Sequence, residues 1–167
     1  MSAFDPKRTL DMRRLVIRVA QAADSEVVWR IHTEAIRSIK EPYPRDYLES
    51  WARKHRPHEY AECIAAQRLY IAELDGEAVG FGQFDPGAGV VQRIYVSPSA
   101  SGNGVGRALL LEAERRAVAA CRPKLYLSSS LNAVAFYQRC GFVHGTPNDV
   151  GSVPRDPDGV LMVKNLS

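Results

Sequence analysis

The sequence predicts a single domain of mixed α/β fold, a twisted and mainly antiparallel sheet flanked by helices, and three observations carry that prediction. The chain has 167 residues, 46% of them hydrophobic and 25% charged, which is enough for one buried core and far from the composition of disordered chains. Three apolar runs follow one another across short turns, the first turn being Asp75-Gly76-Glu77, and Asp-Gly between such runs signals a hairpin. Directly after them, Gly102-Asn103-Gly104-Val105-Gly106 leads into a stretch of helical periodicity, making a strand, glycine loop and helix unit.

In chain order, Leu15 to Val19 reads as the first strand. Asp24 stands where it can cap a helix whose apolar stripe runs Val28, Ile31, Ala35 and Ile39, ending near Pro42. Tyr43 to Gln67 is less regular, with Tyr47, Leu48 and Trp51 at helical spacing and Pro57 placed to open another short helix. Leu69 to Leu74, Ala78 to Phe84 and Val90 to Val96 are the strands of an antiparallel meander, the second and third separated by the turn Asp85 to Gly89. Pro98 lacks an N–H and stops the ladder. The next helix carries Val105, Leu109, Ala113 and Ala117 on one stripe. Lys124 to Ser128 is a further strand, Asn132 to Arg139 a short helix ended by Gly141, and Phe142-Val143 with Val160 to Val163 close the fold.

Charge and cysteine usage exclude several functions. The net charge is +3, but Met1 to Arg18 carries five Lys/Arg against two Asp, leaving seventeen of each sign in the remainder. A body without net basicity gives no footprint for nucleic acid. Residues 1–13 read as a flexible basic tail ahead of one domain over 14–167. The longest stretch without a charged residue, Leu125 to Gln138, is fourteen residues and holds three serines and an asparagine, too short and too polar to span a membrane. The N-terminal residues lack the apolar region of a secretory signal, so the cytoplasm is the expected compartment. Cys63, Cys121 and Cys140 are odd in number and form no CxxC pair, which suggests reduced thiols and no zinc site. No metal is expected.

Three glycines in five residues let a ligand approach the main-chain N–H groups where a loop becomes a helix, and the helix N-terminus adds partial positive charge. Such a loop suits a phosphate, although taken alone it also fits a flexible connection with a glycine cap. The Walker pattern is absent. The GxGxxG dinucleotide fingerprint fails because Leu109 stands where a small residue is needed and the preceding strands are hairpin-linked.

Arg93-Ile94-Tyr95-Val96-Ser97-Pro98, followed by Gly102-Asn103-Gly104-Val105-Gly106-Arg107-Ala108-Leu109-Leu110, resembles the acyl-CoA-binding motif of the GNAT superfamily of N-acetyltransferases. Ser130-Leu131-Asn132-Ala133-Val134-Ala135-Phe136-Tyr137 with Cys140-Gly141-Phe142 is similar to that family's second motif, and Leu161 to Leu166 to the last strand of many members. The resemblance covers Ile71 to Phe142 well and the first 67 residues only in outline. It implies a GNAT-like sheet with acetyl-CoA as cosubstrate and a primary amine, of a small molecule or peptide, as acceptor. It leaves a homodimer open. The family's first motif position, Arg or Gln, is Ser101 here.

By this resemblance, backbone amides of Gly102, Asn103, Gly104, Val105 and Gly106 take the pyrophosphate, with Ser101 contributing its hydroxyl and Arg107 a charge, unless Arg107 is a solvated first-turn residue. The family's strand equivalent to Val90 to Val96 carries a bulge near its end and splays from its neighbour, so the Val96 N–H becomes the oxyanion donor. Tyr137 matches the tyrosine that protonates the departing thiolate, its rival reading being a packed aromatic beside Phe136. Asn132 is expected both to cap its helix and to contact the coenzyme. No general base is apparent: Gln92 cannot accept a proton and Arg93 follows it, which leaves Glu34, Glu73, His32 and His144 as candidates. Tyr43, Tyr47 and Trp51 either line the acceptor pocket or belong to the core. Ser101 and the missing base keep a non-catalytic acyl-CoA-binding module as the alternative.

Overall fold

Seven apolar runs pair into one sheet of order β1-β2-β3-β4-β5-β7-β6. The computed structural model describes residues 14–149, 151–154 and 156–166, so the tail expected over 1–13 lies outside the described residues. The strands are β1 (Leu15–Val19), β2 (Leu69–Leu74), β3 (Glu77–Asp85), β4 (Val90–Val96), β5 (Lys124–Ser129), β6 (Val143–His144) and β7 (Val160–Asn165). The helices are α1 (Ser25–Arg37), α2 (Arg45–Arg53), α3 (Ala61–Ala65), α4 (Val105–Ala119) and α5 (Val134–Arg139). Among the described residues no helix is long and apolar enough to cross a membrane.

Local chemistry explains the meander. Asp75 and Gly76 both take positive φ, 53° and 82°, the backbone of a two-residue turn whose twist suits antiparallel strands. Strand β2 is apolar along almost its whole length because both faces are covered. Tyr70, Ala72 and Leu74 face the cluster built with Leu109, Leu110, Ala113 and Ala117 of α4. Leu69 and Ile71 face Val28 and Ile31 of α1, together with Tyr60, Ile64 and Phe81. The Tyr70 hydroxyl donates to the Leu109 carbonyl at 2.9 Å, and the Arg116 guanidinium lies 4.5 Å from its ring centroid.

Every pairing in the sheet is antiparallel except β4 with β5, which is parallel and limited to Val90↔Tyr126 and Val91↔Leu127. Beyond Val91 the two strands part. The β3–β4 register jumps from Gln83↔Arg93 to Phe84↔Val91, leaving Gln92 as the extra residue of a bulge. The bulge expected near the end of β4 thus falls early in it, where the pairing with β5 stops.

Two capping expectations are corrected. The Asp24 side chain does not cap α1: its carboxylate accepts two hydrogen bonds from Arg18, at 2.8 and 2.9 Å, and one from the Gln21 N–H at 2.7 Å. Asn132 does not start or cap α5; it sits inside the single turn Leu131–Ala133, and α5 begins at Val134 without a side-chain cap. Ile39 lies past the end of α1 and packs in a small cluster with Ile36, Leu48, Ala52, Tyr43 and Trp51.

Candidate active site

The divergence of β4 from β5 opens a cleft of about 930 Å³, walled by Gln92 to Val96, by Ser128, Ser130, Asn132, Ala133 and Tyr137, and by residues of the α1–α2 region. Among the described residues, the edge of β4 facing it beyond Val91 is main chain without a partner strand. Because the Ser97 N–H donates to the Val79 carbonyl at 2.7 Å, Gly80↔Val96 is a pair that exchanges no hydrogen bonds. The N–H of Val96 therefore points away from β3, toward the gap.

The chain leaves β4 through Ser97 and a turn at Pro98–Ala100 into the glycine loop. Gly102 and Gly104 have φ of 82° and 75°, and Gly104 occupies the N-cap position of α4. A side chain is disfavoured there by the left-handed backbone. Ser101, Gly102, Asn103, Gly104 and Arg107 are exposed, whereas the Val105 side chain is buried in the core, leaving only its backbone to act. Asn103 turns its amide back on the loop, donating to the Ala100 carbonyl at 3.0 Å. Among the described residues no main-chain N–H from Gly102 to Arg107 donates to a main-chain carbonyl, and the dipole of the 15-residue α4 adds to them.

Helix α5 packs against the first turn of α4: a Cβ built on Gly106 would lie 3.2 Å from Cζ of Phe136. That contact brings Tyr137 beside the loop. Its ring meets Phe136 and Phe142 edge-on, at centroid distances of 5.1 and 5.7 Å. It is 8% exposed and lines the cleft, and among the described residues its hydroxyl has no hydrogen-bond partner. Burial first, and then Tyr95 and Cys140, raises its phenol well above the ordinary tyrosine range, so it is protonated at neutral pH. Of the residues singled out from sequence, Val96, Asn132 and Tyr137 share the cleft, and Ser101 to Arg107 stand at its β4 end without lining it.

None of the four base candidates lines the cleft. Glu73 is paired with Arg18. Glu34 is exposed on α1, and exposed His144 lies 3.5 Å from the Gln138 amide. His32 is buried, with Nδ1 2.8 Å from the Tyr60 hydroxyl. Burial, assisted by the charges of His55 and Arg93, pushes His32 down to about 2, so it is neutral.

Besides tyrosines, the ionisable groups that line the cleft among the described residues are Lys54, His55, Arg93, Asp156 and Asp158. Sequence reasoning passed over His55, although its spacing of four from Glu59 was visible. Its Nδ1 lies 2.7 Å from the Glu59 Oε1, while its Nε2 is covered and unpartnered, a cost of about 1 to 3 kcal/mol for a buried polar atom. Glu59 also meets Arg93 at 3.4 Å and accepts from the Arg56 N–H at 3.3 Å. Burial opposes its ionisation, yet the hydrogen bond from His55 and the charges of His55 and Arg93 hold its carboxyl below the usual range. Ligand atoms of His32, His55 and Glu59 lie within 4.8 Å of one another; the Nδ1 atoms of both histidines and the two oxygens of Glu59 are already hydrogen-bonded within the protein.

On the same wall Tyr43 stacks on Tyr47 at 5.3 Å and meets Trp51 edge-on at 5.9 Å. The Tyr43 hydroxyl accepts the Leu131 N–H at 2.8 Å, tying the α1–α2 connection to the turn after β5. Tyr43, Tyr47 and Trp51 all line the cleft, and Tyr43 and Trp51 also pack on the small cluster around Leu48.

A family model described as the acetyltransferase (GNAT) family matches residues 29–142. An IAA acetyltransferase of Azospirillum brasilense is 33% identical over 106 residues, 59% of this chain and 68% of that protein. Among solved structures, one described as a GCN5-related N-acetyltransferase, aminotransferase class-II, from Rhodopseudomonas palustris superposes with a TM-score of 0.78 at 26% identity, over 90% of this chain and 95% of the other. The PaiA N-acetyltransferase of Thermoplasma acidophilum, solved in complex with coenzyme A, superposes with a TM-score of 0.74 at 23% identity, over 92% and 99%.

Proposed function

Since the chain belongs to the acetyltransferase (GNAT) family and is an acyltransferase, we propose that it moves an acetyl group from acetyl-CoA to a primary amine of a small molecule or peptide, by direct attack on the thioester. The observation that carries this reading is the loss of β4–β5 pairing after Val91, which leaves a main-chain edge between unpaired loop amides and the hydroxyl of Tyr137. A coenzyme with an amide-bearing arm and a pyrophosphate fits those two features. In this reading the amides of Gly102 to Gly106 take the pyrophosphate, with the Ser101 hydroxyl and Arg107 beside them, and Asn132 contacts the arm. The arm pairs with the free edge of β4.

Attack by a neutral amine puts negative charge on the thioester oxygen, and a main-chain N–H aimed at it is worth about 3 kcal/mol in comparable sites. The Val96 N–H fills that role. As the carbon–sulfur bond breaks, the thiolate takes the phenolic proton of Tyr137, which burial keeps in place until then. The acceptor enters between Tyr43, Tyr47 and Trp51 and the carboxylates of Asp156 and Asp158, a lining suited to a positively charged amine.

The coenzyme half of this reading is tested by thermal melting with acetyl-CoA, CoA, NAD and ATP, since a ligand bound only by the folded state raises the melting temperature. Acetyl-CoA and CoA should raise it and NAD and ATP much less; equal shifts from all four would refute the assignment.

A further inference from the structure

We propose that His55, oriented by Glu59, is the group that deprotonates the acceptor ammonium. The inference rests on the acyl-transfer reading of the cleft. An alkylammonium has no lone pair, and the reaction needs a proton acceptor in the wall where the amine enters. His55 lies in that wall with Tyr43, Tyr47 and Trp51.

Its orientation is set from three sides. In the neutral ring the Glu59 carboxylate, which can only accept, holds the hydrogen on Nδ1 at 2.7 Å and so leaves the lone pair on Nε2. The His55 carbonyl accepts the Trp29 indole N–H at 3.1 Å, and the His55 N–H donates to the Ala52 carbonyl at 3.3 Å. The ring of His32 lies against that of His55 at a centroid distance of 3.9 Å. The groups that touch the His55 ring are therefore Glu59, from the turn after α2, and neutral His32; behind them Arg93 of β4 meets Glu59 and Tyr60, Tyr60 and Tyr95 pack on His32, and Lys54 and Arg56 are adjacent in the chain. Among the described residues, Nε2 of His55 is the buried side-chain nitrogen or oxygen without a partner. Because Nε2 is covered, the ammonium, or one water bonded to it, completes it only as the arriving acceptor shifts the side chains over it.

The proton balance closes. Nε2 takes one proton from R–NH3+, giving R–NH2 and an imidazolium. The amine lone pair forms the carbon–nitrogen bond, the carbon–sulfur bond breaks, and the second nitrogen-bound proton replaces the one that Tyr137 gives to sulfur. The imidazolium returns its proton to water.

The test joins spectroscopy and kinetics on the whole chain. Nitrogen-15 spectra of histidine-labelled protein should show neutral His55 as the Nδ1–H tautomer, and Glu59→Gln should disturb it; an Nε2–H tautomer would overturn the proposal. With acetyl-CoA and a panel of phenethylamine, spermidine and a lysine peptide, His55→Gln should keep coenzyme binding but lose about 10² to 10⁴-fold in kcat/KM near neutral pH. The deficit should shrink at alkaline pH, where the amine is already neutral, and Glu59→Gln should show a smaller loss of the same kind. An equal deficit at every pH, a wild-type profile in a folded His55→Gln protein, or a rate that chelators abolish and zinc restores would each overturn it. A wild-type protein that turns over no amine refutes the acyl-transfer reading itself, whereas turnover unaffected by His55→Gln refutes only the dyad.

Discussion

Gly104 offers a comparison in which stability and coenzyme affinity move in opposite directions. Its φ of 75° lies in the left-handed region, and a Cβ there would meet nothing within 4 Å. Any side chain at this position therefore costs backbone strain of about 1 to 2 kcal/mol, less for Asn and Asp, and no steric clash. For a chain of this size that is a fall of about 2 to 4 °C in melting temperature per kcal/mol. Gly104→Asn and Gly104→Asp share this strain and differ in one charge. At the N-terminus of α4 the carboxylate of Gly104→Asp gains roughly 0.3 to 1 kcal/mol from the helix dipole, making the ligand-free Asp variant the more stable. Against a bound pyrophosphate the sign reverses: two like charges about 4 Å apart repel by about 1 kcal/mol in water and about 4 kcal/mol at surface dielectric. Titration calorimetry with CoA should find Gly104→Asp weaker than Gly104→Asn by about 10-fold or more, with the gap narrowing as salt is raised. Equal CoA affinities in the two folded variants would refute phosphate binding at this loop.

Three further outcomes are expected. Tyr137→Phe should lower the single-turnover rate by about 10² to 10⁴-fold with acetyl-CoA affinity and stability nearly unchanged, because among the described residues the hydroxyl has no hydrogen-bond partner; a wild-type rate would leave Tyr137 a packing residue. Gly82→Ala should lower the urea midpoint by an amount equivalent to about 3 kcal/mol, since its Cβ would collide with the Tyr70 ring, which the Leu109 carbonyl holds in place; an unchanged midpoint would contradict that packing. Arg18 holds the Asp24 carboxyl below its usual range, so the pair contributes stability that is present above the unfolded value of about 3.9 and is lost as pH falls through the folded one. The stability gap between wild type and Asp24→Asn should accordingly be largest near neutral pH and close in strong acid; a gap independent of pH would remove the ion pair as its cause.

Those parts of the fold that rest on local pattern were legible in the sequence. The Asp75-Gly76 turn joins β2 and β3 as expected, and the stripe Val105, Leu109, Ala113 and Ala117 is buried along α4. What was not legible depends on partners far apart in the chain. Asp24 is drawn from capping by Arg18 on β1, and the bulge at Gln92 follows from the point where β4 and β5 separate. The site divides in the same way. The glycine loop and Tyr137 sit in contiguous motifs, but His55 gains its meaning from Glu59 across Pro57, His32 on α1 and Arg93 on β4. Asp156 and Asp158 carry no sequence pattern that singles them out, and they line the cleft only once the chain is folded.

The central claim is that the cleft between β4 and β5 carries acetyl transfer from acetyl-CoA to an amine. Its most direct measurement is the release of free CoA thiol from acetyl-CoA in the presence and absence of the amine panel, with mass spectrometry of the amine products. Amine-dependent release, with one amide-linked acetyl group on the amine for each CoA freed, is the predicted result. Tight CoA binding with no amine-dependent release from any member of the panel would contradict it and make the chain an acyl-CoA-binding module.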